Sequence, residues 1–242
     1  MSVPVRMDLS SAVVTYRPAA GEERSAPAME ARPAALFAGY PWRTFRSYAG
    51  QKHYPGSYWS STLGDHVIYE SRLELANLIG ADFDASVKRI AAQPFLLTAK
   101  VDGELRRHIV DYIWGADENP IVVDVVRRER LSNNRIQLLC DWTRVVVESM
   151  SWTYQVVSEP DPVWLANVRF LAGFRREWLV NGETLEDIRS SQLAGRTIAD
   201  VEALFSRYPK HLVRPALMHL LWCREYSCDL TQPLRPATIL ET

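Results

Sequence analysis

A chain of 242 residues, 47% hydrophobic and 24% charged, has the composition of an ordinary soluble globular protein, with room for one large domain or two small ones. Its formal net charge of −1 supplies no global basic field for nucleic acid, although local patches rather than net charge decide such binding. Three cysteines, Cys140, Cys223 and Cys228, fit neither a disulfide framework nor a zinc site and point to a reducing, cytoplasmic setting; no uninterrupted apolar run is long enough for a membrane span.

Residues 1–38 are rich in Pro, Ala, Ser and charge with little periodicity, which predicts a flexible leader. Next, Tyr40 to Tyr48 and Lys52 to Trp59 interleave aromatics with cations, among them Arg46 and Lys52. Such a mixture can stack on bases while meeting phosphates, although an edge segment packing its rings on the core is the more ordinary reading. From Val67 to Ile79 the pattern turns from strand into helix. Glu70, Glu74 and Asn77 share one face of that helix, and Leu75, Leu78 and Ile79 lie away from it, toward a core. Val87 to Ile90 and Gln93 to Leu97 then predict strand, opening a meander.

Two runs dominate the middle of the chain. Arg106 to Ile113 and Ile121 to Arg128 each read as a strand of branched and aromatic residues, with a turn from Gly115 to Pro120. Each buries one aspartate, Asp111 or Asp124, among apolar neighbours, where an ionised carboxylate is costly unless paired. Side by side, the two strands bring these acids together, and like charges at short range call for a cation. A hard divalent metal on oxygen ligands answers that need; a turn cap or an arginine partner for each Asp stays equally open on the strands alone.

After Arg128 the period changes. Ile136, Leu139, Cys140, Thr143, Val146, Val147 and Met150 predict an amphipathic helix, with Ser132 and Asn133 as caps. Trp152 to Val157 predicts a strand, and Pro160-Asp161-Pro162 a cap that launches a helix from Val163 to Phe174, with Arg169 on its outer face. From Glu177 the chain reads as mainly helical, with loose capping boxes at Thr184 and Thr197 and a helix from Lys210 to Trp222. A short hairpin, Tyr226 to Leu230 with Ala237 to Leu240, completes the parts list of a winged helix.

A helix acid, an Asp ending one strand and a second acid on the next resemble the PD-(D/E)XK nuclease core. More narrowly, the chain resembles the TnsA-like endonuclease subunit of heteromeric transposases over about Tyr48 to Arg176. The segments that carry the likeness are Ser71-Arg72-Leu73-Glu74, Asp82-Phe83-Asp84 through Ala92-Gln93-Pro94, Val110-Asp111-Tyr112, Val123-Asp124-Val125 and Asp161 to Leu171. The resemblance implies an α/β fold, a restriction-endonuclease-like mixed sheet flanked by helices over 39–176, with a small helical or winged-helix domain over 177–242. It also implies a Mg²⁺ site, with Mn²⁺ able to substitute, at Glu74, Asp111 and Asp124, and metal-assisted phosphodiester hydrolysis at the 5′ ends of a mobile element. Implied partners are double-stranded transposon-end DNA, a TnsB-like transposase subunit and, as a further candidate, an ATPase regulator; no membrane is among them.

One position departs from the pattern. The family lysine belongs two residues past Asp124, where this chain has Val126. Alternation sets Arg128 on the face of Asp124 and Arg127 opposite, unless a bulge turns Arg127 round. An arginine stabilises phosphate charge but hardly serves as a base, so water activation then rests on the metals. Arg46, Lys52, Arg106, Arg107 and Arg169 are the expected DNA contacts, and His108 reads as a packed histidine facing away from Asp111. Two alternatives remain beside the transposase subunit: a catalytically inactive DNA-binding or bridging fold, and a free-standing repair or restriction-type nuclease.

Overall fold

The computed structural model describes residues 7–43, 54–116 and 118–241. They form a mixed α/β protein of mainly antiparallel sheets flanked by helices. The chain divides into two units. The first runs to Ala81 and resumes over Ser86–Glu159; the second takes Asp82–Ala85 and everything from Pro160 onward. The expected boundary at 176/177 therefore moves back to 159/160, because the helix after Asp161 packs with the later helices.

The expected flexible leader is ordered from Met7. β1 (Met7–Tyr16) pairs antiparallel with β2 (Arg24–Pro27), and α1 (Pro33–Phe37) starts with proline at its first turn. Ala12 and Val14 point inward at period two, a signal too short to stand out among the polar residues around it. β3 (Gly56–Ser60) and β4 (Asp65–Tyr69) form a hairpin, and α2 (Arg72–Phe83) follows.

β5 (Arg89–Ala92), β6 (Leu96–Val101), β7 (Glu104–Ile109), β8 (Tyr112–Gly115) and β9 (Pro120–Val125) then divide between two sheets. One sheet has the order β2-β1-β6-β7. The other has the order β10-β9-β8-β5, where β10 is Thr153–Val157. The chain thus changes sheets between β5 and β6, and again between β7 and β8. What reads as one strand from Arg106 to Ile113 is broken at Val110-Asp111 by the second crossing.

Local chemistry sets the turns. Asp102 and Gly103, at φ 51° and 83°, make the two-residue turn of the β6–β7 hairpin with the twist such hairpins favour. Gly115, at φ 114°, closes β8 where a Cβ would stand 2.7 Å from the Asn119 carbonyl oxygen, so no larger residue fits. α3 (Asn134–Ser149), capped by Asn133 accepting from the Arg135 N–H at 2.9 Å, carries the chain from β9 to its parallel neighbour β10. A parallel pair requires such a crossover. Val14 and Leu97 of the first sheet, Ile113 and Val122 of the second, and Trp142 and Val146 of α3 enter one buried cluster. Each aliphatic side chain in it contributes about 1.5–3 kcal/mol of transfer free energy.

In the second unit α4 (Pro162–Ala172) starts as expected, with Asp161 Oδ1 accepting from the Val163 and Trp164 N–H groups. α5 (Gly182–Arg189) is capped by Asn181 rather than Thr184, and α6 (Ile198–Leu204) has a full capping box between Thr197 and Asp200. α7 (Lys210–Trp222) packs against all three and buries Val213, Leu217, Leu220 and Leu221. The predicted terminal hairpin is reduced, among the described residues, to isolated bridges, Thr197 with Ile239 and Ser227 with Glu241.

Candidate functional site

The helix acid is built into the start of α2. Ser71 Oγ accepts the Glu74 N–H at 3.2 Å and donates to Glu74 Oε1 at 2.9 Å, while Glu74 Oε2 accepts the Glu70 N–H at 2.7 Å. The Ser-x-x-Glu segment thus forms half of a capping box, with Glu74 reaching back to the N–H of Glu70 rather than of Ser71, and both Glu74 oxygens hold the first turn. Glu70 in turn accepts from the Gln93 amide and, at 3.3 Å, from Arg43 Nη1.

Gln93 links these acids to the strands. It is buried, at φ 47°, a left-handed conformation that costs a side-chain-bearing residue about 1–3 kcal/mol and persists only where surroundings enforce it. Here they do so four times over. Its N–H donates to the Asp111 carbonyl at 2.8 Å and its own carbonyl accepts the Trp42 N–H at 3.0 Å. Its side chain accepts the Arg43 N–H at 2.9 Å through Oε1 and donates to Glu70 through Nε2.

Asp111 occupies the crossing between β7 and β8. The pairing of Tyr112 with Val123 continues one step to set Asp111 across from Asp124, and the Asp111 N–H reaches Asp124 Oδ1 at 3.4 Å. Burial, then the charge of Asp124, pushes the Asp111 carboxyl well above the ordinary carboxylate range. The Val125 N–H, donating to Asp111 Oδ2 at 2.7 Å, opposes that shift, and Glu74 and Glu70 add to it. The charges of three carboxylates thus act on the half-buried carboxyl of Asp111. Such a position holds either a proton or a cation.

Asp124 is settled differently. It is 3% exposed, and both its oxygens are occupied: His108 Nε2 lies 2.9 Å from Oδ1 and 2.7 Å from Oδ2, and Tyr154 Oη donates to Oδ2 at 2.5 Å. An ionised carboxylate only accepts, so the His108 Nε2 carries the hydrogen. The His108 ring stands edge-on to Trp142 at 6.3 Å, which fixes its plane. Burial and the Asp124 charge push the Tyr154 phenol far above its ordinary value, so it remains a donor.

The arginines past Asp124 do not join this group. β9 ends at Val125, and Val126 packs partly buried against the core cluster with its N–H on the Val157 carbonyl at 2.8 Å. Strand alternation therefore stops short of Arg128, which enters a 3₁₀ turn and binds Glu159 through its N–H and guanidinium at 2.9 and 3.0 Å. Arg127 is exposed beside Glu129, at 4.0 Å. No bulge brings either one round.

Of the expected DNA contacts, Arg106 pairs with Glu104 at 2.6 Å, Arg107 is exposed on β7, and Arg169 is exposed on α4 of the second unit. Arg46 and Lys52 lie outside the described residues. Among the described residues no three His, Cys, Asp or Glu groups stand in a ready metal-binding arrangement, and no helix is long and apolar enough to cross a membrane.

Three contributors were not legible as such. His108 is packed, as expected, but packed onto Asp124. Tyr154 carries only the alternation that buries it between exposed Thr153 and Gln155. Gln93 stands in the Asp82 to Pro94 segment of the resemblance, but its sequence context assigns it no role. No protein-family model matches this sequence, and a search of the curated proteins finds no relative; the geometry of these carboxylates is what the functional reading rests on.

Proposed function

We propose that this chain is the DNA-cleaving subunit of a TnsA/TnsB-type heteromeric transposase, with a restriction-endonuclease-like first unit that hydrolyses phosphodiester bonds at the 5′ ends of a mobile element. The observation that supports the reading most is Asp111: a half-buried carboxyl, pushed upward by desolvation and by Asp124, Glu74 and Glu70, at the crossing between β7 and β8. The donor set consists of oxygen atoms alone, the chemistry a hard cation such as Mg²⁺ or Mn²⁺ selects, and a cation would relieve the repulsion that a proton otherwise relieves. Glu74, Asp111 and Asp124 are the residues that would hold it. When bound, the cation supplies polarisation of the phosphate and a more acidic water.

The chain's own residues supply placement. The Val125 N–H aims the Asp111 carboxylate, Gln93 fixes the Asp111 backbone and steadies Glu70, and the Ser71 hydroxyl fixes the rotamer of Glu74. Arg127, exposed just beyond the strand end, offers a guanidinium for phosphate charge rather than a base. The TnsB-like partner provides most of the phosphate binding that a net charge of −1 does not.

A second reading, an inactive DNA-binding or bridging fold, is favoured by Val126, which packs partly buried against the core and offers no proton acceptor. Cleavage of a supercoiled plasmid carrying transposon ends, with Mg²⁺ or Mn²⁺ and with or without the neighbouring transposase, decides between them. Asp111→Asn is the informative variant because it keeps an acceptor for the Val125 N–H. Metal-dependent cutting that needs the partner and is lost in Asp111→Asn supports the endonuclease; DNA binding without cutting under every condition supports the inactive fold.

A further inference from the structure

His108 and Tyr154 hold the Asp124 carboxylate on three contacts of 2.9, 2.7 and 2.5 Å, in a pocket where that carboxylate is almost fully buried. A cation bound between Asp111 and Asp124 would need an oxygen of Asp124 that these donors now occupy. We propose that His108 and Tyr154 are positioning residues that set the cation affinity of the carboxylate site by competing for the Asp124 oxygens. The inference rests on the metal-site reading above and adds two residues to it.

Three features support competition rather than support. First, His108 and Tyr154 lie on different elements, β7 and β10, and converge on one carboxylate from both sides. Second, hydrogen bonds to a buried charge are the strong kind, each worth more than a neutral pair, so a ligand taking Asp124 has to displace real binding free energy. Third, each donor is braced. His108 is fixed by Trp142, and the Tyr154 strand is tied by Arg144, which bonds the Tyr154 carbonyl at 3.1 Å and stacks over the ring at 5.0 Å. Neither donor swings away freely. Asp111, by contrast, takes its one backbone N–H from Val125 on the neighbouring strand, which a bound cation leaves in place.

The test is Mn²⁺ binding to the full chain without DNA, followed by calorimetry and by the Mn²⁺ spin-resonance signal at one fixed pH. Tyr154→Phe keeps the ring and removes one donor; His108→Ala removes the other; His108→Gln returns an amide N–H at a similar reach. Tyr154→Phe and His108→Ala are each expected to tighten Mn²⁺ binding about tenfold, the equivalent of one charge-assisted hydrogen bond, with His108→Gln near the wild-type value. Asp111→Asn is expected to abolish binding in every background. Circular dichroism confirms folding, and Tyr154→Phe carries the test alone if His108→Ala does not fold.

Binding that is unchanged or weaker in Tyr154→Phe and His108→Ala, while Asp111→Asn still abolishes it, overturns the competition and leaves the metal site standing. Failure of wild type and all variants to bind Mn²⁺ overturns both.

Discussion

Asp111 of the first unit and three aspartates of the second use the same residue type in opposite ways. In the first, Asp111 is half-buried between strands, and burial with neighbouring charge drives its carboxyl upward. In the second, Asp187 in the last turn of α5, Asp200 in the first turn of α6 and Asp229 in a loop are within reach of hydroxyl donors, Tyr208, Thr197 and Thr231, which draw their carboxyls below the ordinary value. The second arrangement stabilises the fold at neutral pH and asks nothing further. The first works against the fold wherever the carboxyl is ionised, and a proton or a cation relieves it. Asp8 of the first unit, lowered by the Ser10 hydroxyl, belongs with the stabilising acids, so what sets Asp111 apart is its burial beside Asp124 rather than its unit.

The sharpest way to break that contrast is to delete Asp124. Asp124→Ala leaves the His108 and Tyr154 donors buried without their acceptor and should destabilise the chain by about 3 kcal/mol, read as a lower urea midpoint. Equal stability in the variant would mean that the buried pair contributes nothing.

Asp111→Asn should act the other way. A carboxyl whose folded value is raised contributes stability at pH below its unfolded value and loses it as pH rises through the folded one. With chelator present, the amide should therefore raise the melting temperature at neutral pH by a few degrees, and the gain should vanish on acidification. The lowered carboxyls of Asp187, Asp200 and Asp229 have the opposite sign: their stabilisation is present above the ordinary carboxylate range and is lost as pH falls through it.

Removing a cap in the second unit is expected to matter less than removing Asp124. Asp161→Ala frees the N–H groups of Val163 and Trp164 and should cost about 1 kcal/mol in denaturant unfolding. Arg127→Ala, at an exposed 4.0 Å ion pair, should change stability by less than about 0.5 kcal/mol; any strong effect of that variant should appear only in DNA binding or cleavage.

Elements held by local signals were readable in the sequence. α3 followed its three- and four-residue period, α4 followed Asp161-Pro162, and the nearness of Asp111 and Asp124 followed from two adjacent strands. Elements held by distant partners were not. β1 is a strand because β6, more than eighty residues on, pairs with it, as in the register of Val13 with Thr98. The break at Val110-Asp111 is invisible in a run that reads as one strand from Arg106 to Ile113, because it arises from the chain leaving one sheet for another. That break also ended the face alternation that would have separated His108 from the carboxylates. Beyond Asp124 the same reasoning failed for Arg128, since alternation has no force once the strand has ended.

The clasp between Gln93 and Asp111 has a consequence for how this protein can vary in length. The β6–β7 hairpin leaves the second sheet at Gln93 and returns to it at Asp111, and one backbone hydrogen bond closes that loop at its base. Residues added in pairs at the Asp102-Gly103 tip lengthen the hairpin without disturbing its base. A single insertion between tip and base turns every following side chain of β7 to the other face, so His108 no longer meets Asp124. Natural or engineered variation is thus confined to even steps at the far end, and the acid at the base keeps its address.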